Sequence, residues 1–129
     1  MKLNHDCVRD LLMAVEELPN ITMLYSLVYL SENGHLKNCD YSLDDLAYTA
    51  SRLREANYLH ASPNQSADYY YVKNLTYDGH LFLDSIRDPL IWKKTKEATS
   101  TVASVSLKTV FELGTQLGTQ FVKKAIGLD

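Results

Sequence analysis

Apolar residues recur at three- and four-residue steps along some stretches of this chain and gather into β-branched and aromatic runs along others. That change of period restricts it to a mixed fold. From Asn4 to about Leu18, the side chains of Val8, Leu11, Leu12, Val15 and Leu18 share one helical face. Asn4 is the predicted N-cap, Leu3 and Val8 are spaced as a hydrophobic staple, and Pro19-Asn20 stops the helix. Ile21 to Leu30 is rich in β-branched and aromatic residues and runs into Ser31-Glu32-Asn33-Gly34, an Asn-Gly hairpin signal. The reading is one strand returning through His35 to Cys39, with a short buried helix as the alternative for the same residues.

Ser42 and Asp45 form a capping-box pattern at the start of a second helix, with Asp44 and Asp45 near its positive end. Leu43, Leu46, Ala47, Ala50 and Leu53 make its buried stripe, which leaves Tyr48, Thr49, Ser51, Arg52 and Glu55 outside. Asn57 stands where a left-handed residue would end that helix. Tyr58 to Ala61 and Tyr69 to Val72 read as two antiparallel strands around a polar loop, forming a wing. Thr76 caps a third helix that carries Tyr77, Leu81, Phe82 and Ile86 and ends near Asp88-Pro89, with Trp92 in a short helical turn beyond. A final helix aligns Leu107, Val110, Phe111, Gly114, Leu117, Gly118, Phe121, Ala125 and Leu128. The expected architecture is α+β, with a body over residues 1–90 and a helical tail over residues 91–129.

A chain of 129 residues with 46% hydrophobic content sustains one core. Its net charge of −3 is uneven: residues 1–60 hold five Lys and Arg against nine Asp and Glu, and residues 61–129 hold eight against seven. Nucleic-acid affinity draws mainly on phosphate neutralisation, so DNA binding is expected to be weak and confined to the tail lysines. Cys7 and Cys39 match neither a paired zinc spacing nor a disulfide framework, and reduced thiols are expected. No signal-peptide run and no stretch of about 18 apolar residues is present, so the expected location is the cytoplasm, away from membranes.

His80, Asp84 and Arg87 or Asp88 fall one turn apart, but no nucleophile is spaced to join them, and a solvated face with an ion pair is expected. Among His5, His35, His60, His80, Cys7 and Cys39 the single ligand-like spacing is His5-x-Cys7. No catalytic, cofactor-binding or metal-ligating residue is therefore expected. Tyr69, Tyr70 and Tyr71 alternate between the faces of a strand and serve equally as core or contact residues. With Tyr48, Thr49 and Arg52 they form the candidate partner surface. Gly114 and Gly118 each cost a helix about 1 kcal/mol relative to alanine, which implies close packing against the body or a second copy. Val110, Phe111, Gly114, Leu117, Gly118 and Phe121 are the candidate oligomer surface of an expected homodimer.

The order helix, strand, helix ending Leu53-Arg54-Glu55-Ala56-Asn57-Tyr58-Leu59, wing, then Leu75-Thr76-Tyr77-Asp78-Gly79-His80 resembles a winged-helix domain. Leu-x-x-Ala-Asn-x-Leu resembles the end of the recognition helix in bacterial winged-helix repressors, where Gly more often stands at the Asn57 position. Met1-Lys2-Leu3-Asn4-x-Asp6-x-Val8-Arg9-Asp10-Leu11-Leu12 is one of two further matching runs. The other is Leu75-Thr76-x-x-Gly79-His80-x-x-Leu83-Asp84-x-Ile86-Arg87-Asp88-x-x-x-Trp92. Both resemble an uncharacterised family of small bacteriophage and prophage proteins, domain of unknown function family 2513. The resemblance implies phage origin and a winged-helix-like body with a long C-terminal helical extension, and it transfers no catalytic residue. On this reading one helix, Ser42 to Ala56, lies between strand and wing where two are usual. Asp44 and Asp45, at the helix end that would enter a groove, repel phosphate. The expectation is a non-enzymatic protein that binds a host protein of the defence or transcription machinery; the alternative is a winged-helix DNA-binding regulator.

Overall fold

In the computed structural model, which describes residues 1–63 and 70–127, the Asn4 side chain accepts from the Cys7 amide and caps α1 (His5–Glu16). Cys7, Val8, Leu11, Leu12, Ala14 and Val15 are buried along it, the face that the apolar spacing predicts. The next stretch departs from the sequence reading. β1 is only Tyr25–Ser26, and the Ser26 hydroxyl then accepts from the Tyr29 amide to cap α2 (Leu27–Glu32). A 3-10 turn, Gly34–Asn38, follows. The long strand and its return hairpin are therefore corrected in favour of the helical alternative. Leu27 and Leu30, three apart, are both buried, and Gly34, at φ 67°, links two helical pieces instead of two strands.

With α2 in place, two helices, α2 and α3 (Leu43–Glu55), lie between β1 and the wing, which corrects the one-helix reading. The capping box of α3 is complete: Ser42 Oγ accepts from the Asp45 amide and the Asp45 carboxylate accepts from the Ser42 amide. Asn57, at φ 64°, turns the chain out of the helix. β2 (Leu59–Pro63) and β3 (Tyr70–Leu75) pair antiparallel, and β1 pairs with the other side of β3, giving the order β1-β3-β2.

The Thr76 hydroxyl donates to the Asn57 carbonyl and accepts from the Gly79 amide, tying the end of α3 to the start of α4 (Tyr77–Ile86). Phe82, Leu83 and Ile86 of α4 are buried, whereas Tyr77 and Leu81 are exposed. Gly79 faces the Tyr58 carbonyl, so the inward stripe runs through 79, 82, 83 and 86, and positions 77 and 81 fall on the far side. Asp88 accepts from the amides of Leu90 and Ile91 and, with Pro89 in the first turn, starts α5 (Pro89–Thr99). Trp92 thus lies in a helix of 11 residues, not in a short turn. Ser106 caps α6 (Leu107–Ala125).

The chain is α+β, consistent with a winged-helix-like fold followed by a C-terminal helix. It divides into two compact units, Met1–His80 and Leu81–Asp129. Leu11, Leu12, Leu27, Leu30, Leu46, Leu53 and Val72 fill the core of the first. Among the described residues no helix is long and apolar enough to cross a membrane.

Candidate functional site

Tyr48 and Arg52 stand one turn apart on α3, with the guanidinium 5.3 Å from the ring centroid and bonded to Glu55 at 2.7 Å. Both are half-buried. Thr49 does not join them. It is 2% exposed, its hydroxyl donating to the Asp45 carbonyl at 2.7 Å and lying 3.3 Å from Cys7 Sγ. This corrects its place on the partner surface: position 49 shares the face of Leu46 and Leu53, and a hydroxyl bonded to its own helix can be buried. Tyr70 and Tyr71 are half-buried in β3, with Tyr71 opposite Ser26 on one side and Ser62 on the other. Tyr69 lies outside the described residues.

A surface that the sequence reading assigned to a strand is instead an exposed apolar loop. Ile21, Met23 and Leu24 are 72%, 49% and 52% exposed. The Asn20 side chain accepts from the Thr22 amide and hydroxyl, closing a turn before β1. Leu24 borders a depression of about 460 Å³ that Arg54, Asn57, His60, Ser62 and Lys73 also line.

The most concentrated polar chemistry lies where α1 meets the 3-10 turn. Asp10 Oδ1 is 2.8 Å from His35 Nε2, Tyr41 donates to Asp10 Oδ2 at 2.6 Å, and the Cys39 thiol donates to the His35 carbonyl at 3.6 Å. One donor atom from each of Asp10, His35 and Cys39 lies within 4.8 Å of the other two, and all three side chains are half-buried. Burial, then the Asp10 charge and hydrogen bond, raise the Cys39 thiol above its usual range. Burial first, and then the Asp10 hydrogen bond and charge, push Tyr41 upward too. His5-x-Cys7 is the one ligand-like spacing expected from the sequence, whereas the structure brings His35 and Cys39 together with Asp10. His35-x-x-x-Cys39 is a helical-turn spacing, which a strand assignment hides because it would hold the two residues about 13 Å apart. Cys7 is separate and fully buried, its thiol pushed up to about 11, chiefly by burial.

The residues of the His80–Asp84 stripe go to different partners. Arg87 donates to Asp84 at 2.9 Å, His80 Nδ1 is 3.7 Å from Glu16, and the Asp88 carboxylate caps α5.

Of the candidate oligomer residues, Val110 is 1% exposed and Gly114 is buried, so neither is open to a second copy. A Cβ on Gly114 would run into the Ser85 carbonyl, so this glycine answers to the end of α4. A Cβ on Gly118 would meet Ile91 Cδ1 at 3.7 Å, an ordinary contact. Phe111 lies 6.2 Å from Phe82 between ring centroids, Leu117 is half-buried, and the Lys94 ammonium sits 5.3 Å from the centroid of the exposed Phe121 ring.

No curated protein and no solved structure matches this chain. The family model described as "Hypothetical protein (DUF2513)" matches residues 2–106, more than half of its length. Its sequence thus places the chain in the DUF2513 family.

Proposed function

We propose that this chain is a phage- or prophage-encoded, non-enzymatic binding protein that engages a host protein of the defence or transcription machinery through its winged-helix-like unit. The observation that carries the reading is the charge of Met1–His80: six Lys and Arg against eleven Asp and Glu, a balance of −5. Duplex binding depends on neutralising phosphates, and a recognition helix presents its N-terminal residues to the groove. In α3 those residues include the exposed Asp44 and Asp45. Such a face repels a polyanion and steers a basic protein surface toward it. Ile21, Met23 and Leu24 supply the apolar contact that an interface centre uses, and Tyr48 a rigid aromatic one. Phage origin rests on the family resemblance.

The test is affinity capture from bacterial host lysate with the unaltered chain and with Met23→Asp and Tyr48→Ala variants, alongside duplex-DNA titrations at physiological salt. One discrete protein retained by the unaltered chain and lost by both variants supports the reading. Tight, sequence-selective DNA binding abolished by Arg52→Ala overturns it in favour of a DNA-binding regulator.

A further inference from the structure

We propose that Asp10, His35 and Cys39 bind a zinc-class transition-metal ion. A carboxylate oxygen, an imidazole nitrogen and a sulfur, each within 4.8 Å of the others, converge from α1 and the 3-10 turn. A tetrahedral zinc ion, with bonds of about 2.0 Å to N and O and about 2.3 Å to S, sets its donors roughly 3.3–3.5 Å apart. The 2.8 Å separation of Asp10 Oδ1 and His35 Nε2 has only to open by about half an ångström, and the sulfur, within 4.8 Å of both, to move in by at most about 1.3 Å. The Cys39 thiol, bonded to the His35 carbonyl, lies beside the same carboxylate that contacts the imidazole, so the three donors already face one point.

The donor set selects the ion. Thiolate and imidazole suit zinc and its neighbours and not magnesium or calcium, which take oxygen donors. Aspartate and thiolate together balance a divalent charge, with His35 neutral. The surroundings already hold the ligands in place. Tyr41 bonds Oδ2 of Asp10 and turns Oδ1 toward the site, the outer-sphere carboxylate contact that metal centres use. Glu17 accepts from the His35 amide, and Gly34 in its left-handed conformation lets that carboxylate approach the backbone where a side chain would block it. Three protein donors leave the fourth tetrahedral position to water. Tyr41 immediately precedes the Ser42 cap, so an ion here would fix the start of α3 relative to α1. The proposal stands independently of the protein-binding reading.

The reduced full chain is titrated with Co²⁺ and then Zn²⁺, followed by absorbance. One equivalent of Co²⁺ should produce a thiolate-to-cobalt charge-transfer band with visible bands of tetrahedral intensity, and Zn²⁺ should abolish them. His35→Ala and Cys39→Ser should each weaken binding at least tenfold, and Tyr41→Phe by about tenfold with the spectrum retained. His60→Ala, on the exposed side of β2, should bind as the unaltered chain does. On the unaltered protein, Zn²⁺ should also slow alkylation of Cys39, read by peptide mapping. Absence of the charge-transfer band, equal affinity in the His35→Ala and Cys39→Ser variants, or an alkylation rate indifferent to Zn²⁺ overturns the proposal.

Discussion

The backbone carbonyl of Tyr58 occupies the place where a Cβ on Gly79 would stand. The same carbonyl accepts from the Thr76 amide at 3.1 Å, so the first turn of α4 is held against the residue that leads into β2. Backbone is what the added methyl would meet, and backbone gives way poorly. Gly79→Ala should therefore destabilise the Met1–His80 unit by about 2–3 kcal/mol despite alanine's better helix propensity, measured by urea denaturation.

Gly114 and Gly118 lie on the same helix but should respond in opposite directions. At Gly114 the Ser85 carbonyl blocks a methyl, so Gly114→Ala should lower the melting temperature. At Gly118 an added methyl would lie 3.7 Å from Ile91 Cδ1, an ordinary contact. Gly118→Ala should gain up to about 1 kcal/mol in helix propensity and raise it. Equal shifts in calorimetry would show that the two glycines are equivalent.

Tyr48 and Thr49 are neighbours on α3 with different duties. Thr49→Val keeps the volume but loses the bond to the Asp45 carbonyl and the contact with Cys7, and should cost about 1 kcal/mol of stability. Partner binding should be unchanged. Tyr48→Ala should do the reverse, weakening partner capture with under about 0.5 kcal/mol lost, because its ring is half-exposed. Thermal melts and capture assays on the two variants separate these outcomes.

The Cys7 thiol is raised from 9.0 to about 11 in the folded chain, so folding favours its neutral form. That contribution is fully present below pH 9 and is lost as pH rises from 9 to 11, at about 1.4 kcal/mol per pH unit for this group. Tyr41 and Tyr58 are raised as well and act in the same direction. Denaturation at successive pH values should show a slope that Cys7→Ala flattens. An unchanged slope in the variant would assign the loss to the tyrosines.

What the sequence reveals here is what a few neighbouring residues decide. Asn4, Ser42 and Thr76 cap the helices the spacing places after them, and Asn57 takes the left-handed conformation expected of a terminator, because each acts over two to four residues. Ile21 to Leu30 misleads because its composition favours a strand, while the Ser26 hydroxyl starts a helix inside it. Only Tyr25 and Ser26 remain extended, held by Val72 and Tyr71 of a distant strand. The Asp10–His35–Cys39 cluster was hidden for the same reason. Its histidine and cysteine come together only in a helical turn, and Asp10 joins them only through the packing of α1. Thr49 shows the converse error, a polar residue assigned outside that satisfies its hydroxyl within its own helix.

The shortness of the sheet's two outer strands has a bearing on how this protein can associate. β2 is an outer strand of the sheet, and such a strand ordinarily offers a row of amides and carbonyls on which another chain can lay itself. Here the row is five residues long and ends in Pro63, which has no N–H to offer. β1, on the opposite margin, spans two residues. Among the described residues both margins are short, which disfavours recognition by strand addition and amyloid-like stacking. The proposed partner would therefore be met chiefly by side chains.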